Sequence, residues 1–285
     1  MKRCASTLSA SDVLGVDLEH AVLKTRLLTA VVLAPLVVAA IYWAPMWLYG
    51  LVFIGVTAAG AWEWGALVGL DSLAQRVGHL ALFLLLAAVI YLEPGLRVPL
   101  MAVAASFWLL ALVRVLQFTG NETLAGVNWL DALLGLIVVG GAFAALMTLR
   151  SQPQGAHWVM LALLLVWLAD IGAYFAGRRF GRRKLLPTVS PGKSWEGVIG
   201  GMVVTLAVVL GALALWGQPL LPWLVAVPLL VLVSVLGDLF ESTLKRRAGV
   251  KDSGTLLPGH GGMLDRIDAQ LSVLPLFALL LVWLA

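Results

Sequence analysis

The sequence predicts an all-α, polytopic integral membrane bundle of about nine transmembrane helices. Hydrophobic residues make up 61% of the 285 residues and charged residues only 12%, whereas a typical soluble domain has roughly 45–50% apolar and about 25% charged residues. Apolar runs of about 20 residues recur along most of the chain, and no hydrophilic stretch between them is long enough for a separate soluble domain. Lipid must therefore surround most of this protein.

The spans are predicted from apolar runs that end at charged residues, proline or glycine. A helix needs about 20 mainly apolar residues to cross a hydrocarbon core about 30 Å thick. The predicted spans are residues 27–44, 47–69, 77–92, 98–117, 129–149, 157–177, 197–216, 221–240 and 268–285. Pro45 and Pro219 lie in predicted connections, whereas Pro35, Pro228 and Pro275 lie within spans and should bend them.

The distribution of charge divides the chain into three regions. Residues 1–25 lack the apolar core and small-residue cleavage site of a secretory signal, and they are predicted to form a cytoplasmic N-terminal arm. Residues 26–150 carry scattered charges and are predicted to be a transmembrane scaffold. Residues 151–285 hold nearly every charge cluster, so we expect the catalytic transmembrane region there, with long cytoplasmic loops at 178–196 and 241–267.

Lysine and arginine residues predict the orientation, because positively charged loops near span ends are retained in the cytoplasm. With a cytoplasmic N-terminus, all 19 Lys and Arg residues fall on the cytoplasmic side except Arg97 and Arg150. Both long loops then face the cytoplasm. The expected location is the inner cell membrane, with the active site on the cytoplasmic face, where anionic nucleotides and lipid head groups are found.

Three carboxylates near the last predicted span are candidate metal ligands. Asp265 and Asp268 are three residues apart where a helix should begin, so they share one face near its positive N-terminal end. Asp238 closes the preceding span at the same membrane depth. Together they suit Mg²⁺, which takes one or two protein carboxylates and completes its shell with water and phosphates. An aspartate at a helix start is also typical of a cap, so a structural role for Asp265 is the alternative.

A glycine cluster lies between these carboxylates. Gly254, Gly259, Gly261 and Gly262 let the backbone approach a ligand and turn N–H groups toward phosphate oxygens, and His260 sits among them. Lysines and arginines around the cluster can neutralise nucleotide and lipid phosphates. A basic run such as 245–247 can also act only as a topology determinant. Carboxylates for a metal beside cations for phosphate nevertheless predict phosphoryl or nucleotidyl transfer.

From residue 242 to residue 268 the chain resembles the phosphatidate cytidylyltransferase family, also called CDP-diglyceride synthases. The family signature is matched by Ser242, Leu244, Lys245, Arg246, Lys251, Asp252, Gly254, Pro258, His260, Gly261, Gly262, Asp265, Arg266 and Asp268. The resemblance extends to the many-span architecture and to the Gly237-Asp238 pair that precedes the signature.

The resemblance implies a magnesium-dependent reaction in which the phosphate of phosphatidic acid attacks the α-phosphorus of CTP. The products would be CDP-diacylglycerol and pyrophosphate. The nucleophile is already an anion at neutral pH, so no strong general base is required, and His260 would fix the loop or bond a phosphate. Positioning and charge neutralisation should then supply most of the rate.

Each matched residue receives an expected role from the resemblance. The expected catalytic residues are Asp238, Lys245, Arg246, His260 and Asp265. The expected substrate-binding residues are Lys193, Ser194, Glu196, Ser242, Lys251, Asp252, Gly261, Gly262 and Arg266. The expected Mg²⁺ ligands are Asp238, Asp265 and Asp268, with Asp268 at the same site or at a second cation. Lys245, Arg246, Lys251 and Arg266 are expected to bind phosphates.

The first long loop carries a second cluster of basic residues, followed by the run Ser190-Pro191-Gly192-Lys193-Ser194-Trp195-Glu196-Gly197. This run is similar to one found in the same family, which implies that Lys193, Ser194 and Glu196 face the active site. Its Pro-Gly-Lys-Ser part is half of a Walker A loop, but Pro187 replaces the first glycine, which excludes an ATPase of that type.

Two further acidic residues lie within predicted spans. Asp170 is costly in hydrocarbon, so it indicates an interior polar cavity, or alternatively a buried hydrogen bond to a neighbouring helix. Glu63 lies nearer the predicted cytoplasmic interface, where a structural role is favoured.

The expected partners are CTP, phosphatidic acid and membrane lipid, with no nucleic acid. A homodimer is a further expectation, because the family is thought to dimerise and the run 140–142, Gly-Gly-Ala, is a small-residue surface. An ion-coupled transporter is the main rival, but its binding groups should lie near the membrane midplane rather than at one face. A CDP-alcohol phosphotransferase should carry Asp-Gly-x-x-Ala-Arg, which is absent from the sequence, and a scaffold protein would not need the metal-and-phosphate constellation.

Overall fold

The computed structural model describes residues 31, 34–256, 259 and 261–284. The predicted arm 1–25, the beginning of the first predicted span and His260 lie outside the described residues. Residues 34–42 form helix α1. The longer helices are α2 (Met46–Leu67), α3 (Leu73–Leu92), α4 (Arg97–Gln117), α5 (Trp129–Ser151), α6 (Gly155–Phe180), α7 (Trp195–Leu215), α8 (Leu221–Arg247) and α9 (Leu264–Leu284).

Helices α2 to α9 are all long and apolar enough to cross a membrane, which confirms the predicted polytopic bundle. Local sequence signals set several of their ends. At α3 the Gln75 N–H donates to Ser72 Oγ at 3.2 Å and the Ser72 N–H donates to Gln75 Oε1 at 3.2 Å, a reciprocal capping box. Asn128 caps α5 by accepting from the Asp131 N–H at 3.0 Å.

Both predicted cytoplasmic loops are shorter than expected. The loop prediction of 241–267 was too long, because α8 continues to Arg247 and α9 already begins at Leu264. In the other loop, α6 continues to Phe180 and an antiparallel hairpin pairs β1 (Lys184–Leu186) with β2 (Ser190–Ser194). Hydropathy predicts where a chain leaves the apolar layer of the membrane, but a helix can continue through charged residues beyond that point. The helices therefore extend past the ends of the predicted spans. This hairpin is the one departure from an all-α fold among the described residues.

Helix α5 is the centre of the bundle, with 78% of its apolar window buried inside the protein. Small residues make this possible: a Cβ on Gly135 would overlap the Trp64 indole, and a Cβ on Gly141 would overlap Ala104 of α4. The run 140–142 is fully buried within the protomer. It serves packing within one chain and therefore provides no surface for the expected homodimer.

The positions of several arginines fit the predicted sidedness. Arg97 and Arg150, the two expected outside, lie at one end of the bundle, where Arg97 Nη1 reaches Ser151 Oγ at 3.5 Å. Arg114 and Arg247, both expected inside, meet at Asp131. The two groups thus separate as the sequence predicts, and the membrane side of each group stays a prediction.

Helices α6 and α7 touch through glycines, which yields a test of the packing. A Cβ on Gly201 would lie 2.5 Å from the Ala169 carbonyl oxygen, so Gly201→Ala must force the two backbones apart. We expect this variant to lose about 1–3 kcal/mol of stability, measured by thermal unfolding in detergent. Gly211→Ala in the same helix is the control, because nothing lies within 4 Å of its Cβ position, and it should be neutral or stabilising. Equal stabilities for the two variants would contradict this close approach.

Candidate active site

The close crossing of α8 and α9 positions two of the predicted carboxylates. A Cβ on Gly237 would lie 2.6 Å from Ser272 Oγ and 2.8 Å from the Asp268 carbonyl oxygen, so the two helices are in direct backbone contact there. Asp238 follows this contact on α8, and Asp268 stands at it on α9. The two residues therefore lie on neighbouring helices at the same point of the bundle. The structure thus brings Asp238 and Asp268 together as the sequence predicts.

The hairpin supplies a lysine to this crossing. Lys193 Nζ lies 2.5 Å from Asp238 Oδ2, and Ser242 Oγ donates to Asp238 Oδ1 at 3.3 Å. Three residues predicted from two separate motifs therefore meet at one point. The lysine holds the strand β2 against α8 and places a positive charge beside the carboxylate.

The neighbouring Ser194 and Glu196 side chains accept hydrogen bonds from backbone N–H groups at the two ends of the hairpin. Ser194 is buried, and its Oγ accepts from the Gly197 N–H at 3.2 Å as the cap of α7. The carboxylate of Glu196 accepts from the N–H groups of Arg182 at 3.1 Å and Arg183 at 3.2 Å. Their expected contact with substrate stays a prediction, and the contacts seen show how Lys193 is positioned.

Lys245 connects the two helices one turn further along. Its Nζ pairs with Glu241 on its own helix and lies 2.7 Å from Asp265 Oδ1 on α9. Asp265 Oδ2 accepts from the N–H groups of Ser253 at 3.0 Å and Gly262 at 2.8 Å. Both donors belong to the loop before α9 rather than to its first turn, so Asp265 ties this loop to the helix in addition to making the ion pair. It does not cap α9, which was the alternative that the sequence left open.

Glu241 is a member of this cluster that the sequence analysis missed. Its side chain is 3% exposed, and apart from the ion pair with Lys245 its carboxylate has no hydrogen-bond partner among the described residues. The available signal was the spacing, because a glutamate four residues before a lysine forms a favourable helical pair. Glu241 brings a fourth carboxylate to a cluster that holds two lysines.

The excess of carboxylates over lysines fits a hard divalent cation. Asp238, Glu241, Asp265 and Asp268 face Lys193 and Lys245, so the formal charge of the cluster is negative. Mg²⁺ prefers such oxygen donors and needs only one or two of them from the protein. In the described part of the chain, however, no three acidic or histidine side chains converge as a ready-made ligand shell. The role of Asp238, Asp265 and Asp268 as metal ligands stays a prediction.

Several predicted phosphate-binding residues are exposed at the same helix ends. Arg246 in the last turn of α8, Lys251 and Asp252 in the following turn, and Arg266 in the first turn of α9 are all solvent-accessible. Arg247 differs, because its Nη1 lies 3.1 Å from Asp131 Oδ2. Of the basic run 245–247, one residue lies inside the carboxylate cluster, one is exposed and one has a structural ion pair.

A cavity of about 200 Å³ opens beside Lys193, between α6, α7 and α8. Asp170 and Tyr174 from α6 line it together with alanines and valines. The predicted polar cavity at Asp170 is therefore present. Its lining is mixed, with Lys193, Ser194 and Asp170 as polar side chains beside an apolar wall of alanines and valines.

The fold is that of a polytopic membrane protein, and its site combines carboxylates, lysines and a glycine-rich loop at one end of the helices. This combination is typical of a membrane enzyme that acts on phosphates. A sequence model of the cytidylyltransferase family matches residues 24–284. The chain belongs to this family, and the resemblance seen in the signature is confirmed.

Curated relatives share most of the chain. A phosphatidate cytidylyltransferase of Pseudomonas aeruginosa is 41% identical over 266 residues, which cover 92% of this chain and 98% of the relative. One of Haemophilus influenzae is 36% identical over 281 residues, covering 90% of this chain and 97% of the relative. One of Staphylococcus saprophyticus is 43% identical over 160 residues, covering 54% of this chain and 61% of the relative.

Proposed function

We propose that this protein transfers CMP from CTP to phosphatidic acid and so makes CDP-diacylglycerol and pyrophosphate for phospholipid biosynthesis. The proposal depends on the similarity to relatives that are named for this reaction. The alignment with the Pseudomonas aeruginosa relative covers more than nine-tenths of this chain. The site agrees with the proposal chemically, because lysines and arginines surround a carboxylate cluster at one end of the helices.

The reaction needs an in-line displacement at the α-phosphorus of CTP. A phosphate oxygen of phosphatidic acid forms the new P–O bond, the bond to the β-phosphate oxygen breaks, and pyrophosphate leaves with that electron pair. No proton has to be removed from the nucleophile, because the phosphate is already an anion. Lys193 and Lys245, with the exposed Arg246, Lys251 and Arg266, are the cations to which we assign binding and orientation of the phosphates.

Magnesium is part of the proposal. Asp238, Asp265 and Asp268 are the carboxylates that would hold it, and when bound it would neutralise charge on the nucleotide phosphates. The protein itself supplies the orientation: Lys193 lies against Asp238, and Lys245 lies against Asp265. Each lysine can turn from its carboxylate to a phosphate oxygen when substrate arrives.

The cavity beside Lys193 is the place we assign to the lipid phosphate. Its apolar wall suits the glycerol and upper acyl region, while Lys193 in its lining suits the head group. We further propose that this end of the bundle faces the cytoplasm at the inner cell membrane, since 17 of the 19 Lys and Arg residues are predicted from the sequence to lie on that side.

The test is direct reconstitution in detergent. Purified protein receives phosphatidic acid, labelled CTP and Mg²⁺, and both pyrophosphate release and label in the lipid phase are followed. We expect the two signals to appear together and only when all three components are present. Omission of each component in turn, and replacement of CTP by ATP, are the controls. Intact, folded protein that gives neither signal would remove the proposed function and direct attention to ion-flux assays in liposomes.

A further inference from the structure

A carboxylate from the scaffold half of the chain lies inside the signature loop. Glu63 belongs to α2 and is only 5% exposed. It accepts from the Leu264 N–H at 2.7 Å, from the Met263 N–H at 3.1 Å and from Ser253 Oγ at 2.9 Å. One side chain therefore binds the start of α9 and the loop before it, although about two hundred residues of chain separate them.

The loop backbone is packed directly against this carboxylate. A Cβ on Gly262 or on Gly254 would lie 2.8 Å from Glu63 Cδ, closer than real side chains pack. From the sequence, four glycines were expected to let the backbone approach a phosphate. Two of them, Gly254 and Gly262, instead make room for the Glu63 side chain. They let the loop close around Glu63, and any larger residue at either position would push it away.

A serine links Glu63 to the predicted catalytic residues. Ser253 Oγ lies 2.9 Å from Glu63 Oε2 and 3.0 Å from Asp265 Oδ2, so its single proton can serve either carboxylate. Asp265 in turn holds Lys245 at 2.7 Å. The series of contacts runs from the scaffold helix α2 through the loop to the lysine at the end of α8.

We propose that Glu63 is a positioning residue for the transfer reaction, and that it fixes the loop 253–263 and the first turn of α9 so that Asp265 and Lys245 keep their orientation. This inference rests on the proposed function. An anion suits the place, because the first N–H groups of α9 have no partners within the helix and its N-terminus carries partial positive charge. A neutral amide could accept at one oxygen only and would turn its NH₂ group toward backbone donors.

The test compares Glu63→Gln with Glu93→Gln, a control that neutralises an exposed carboxylate at the end of α3. For Glu63→Gln we expect kcat to fall about 10- to 100-fold and the Mg²⁺ concentration for half-maximal rate to rise by a similar factor. The KM for CTP should change less, because the exposed cations that bind nucleotide remain. Glu93→Gln should match the wild type in all three constants.

A second readout does not depend on activity. Lys251 is exposed two residues before the loop 253–263 that Glu63 anchors, so release of the loop should make limited trypsin cleavage at Lys251 several-fold faster in Glu63→Gln. Ser253→Ala, which removes only the linking hydroxyl, should shift cleavage and Mg²⁺ requirement in the same direction by a smaller factor. This milder variant decides the matter if Glu63→Gln is recovered only in unfolded form.

The outcomes separate the two proposals. Wild-type kcat, Mg²⁺ requirement and cleavage rate in folded Glu63→Gln would overturn the positioning role. So would a lower melting temperature with unchanged kinetics per folded enzyme, since that would mean simple structural support. If the wild-type protein is inactive with CTP and phosphatidic acid, the proposed function fails, and faster cleavage at Lys251 would still establish that Glu63 anchors the loop.

Discussion

An Asp238→Asn variant should lose about 100-fold or more of CMP transfer at saturating CTP while keeping its fold. Asp238 faces Lys193 and Asp268 at the crossing of α8 and α9, where a metal held for the reaction would need a charged oxygen ligand. The amide keeps the volume and can still bond to Ser242, so packing should change little. It removes the charge on which cation binding depends.

The measurement is the initial rate of lipid labelling at several Mg²⁺ concentrations, beside the melting temperature of each protein. Asp71→Asn is the matched control, since Asp71 is exposed in the turn between α2 and α3, and it should keep the wild-type rate. An Asp238→Asn protein that is folded and works within a few-fold of the wild type would contradict a direct role. Asp238 would then be only the ion-pair partner of Lys193.

The membrane spans were predictable because lipid leaves the backbone few choices. Every N–H and C=O in hydrocarbon must be bonded internally, so a long apolar run becomes a helix whatever surrounds it. The length of an apolar run does not, however, predict where the helix itself begins and ends. Lys245, Arg246 and Arg247 are helical although they are charged, and α9 takes in Leu264 to Ile267 before its apolar run begins.

The candidate site was partly visible in the sequence for a different reason. Lys245, Asp265 and Asp268 lie in one compact motif, so their shared place follows from chain proximity and from the helix that starts at Leu264. The pairing of Lys193 with Asp238 depends on how the hairpin folds back, which spacing does not determine. A single sequence predicts which nearby residues act together far better than it predicts which distant residues meet in the folded protein.

Glu63 shows the limit most clearly. Nothing in the sequence around it indicates that its carboxylate meets the N–H groups of Met263 and Leu264. A glutamate near the interface of an apolar span is typical of a structural role, and the sequence favoured that interpretation. Its partner could be found only once α2 was seen beside the start of α9. A residue outside the region 151–285, to which the sequence analysis assigned the chemistry, thus contacts the signature loop directly.

The second large effect concerns stability. Asp131→Asn should cost about 3 kcal/mol, because Asp131 is 2% exposed and is the shared partner of two arginines. Arg114 reaches it from α4, and Arg247 reaches it from the end of α8 at 3.1 Å. Neutralising the carboxylate leaves both guanidinium groups, each less than one-third exposed, without their anion.

SDS titration of the detergent-solubilised protein gives the measurement, with the 12 Trp residues as the fluorescence signal. Glu122→Gln is the control, because Glu122 shares with Arg114 and Asp131 the lining of a small cavity but is exposed. This variant should stay within about 0.5 kcal/mol of the wild type. The double variant Arg114→Met with Asp131→Asn should recover part of the loss, since only one unpaired cation remains. A loss below about 1 kcal/mol for Asp131→Asn would mean that the arginines find other partners at the membrane surface.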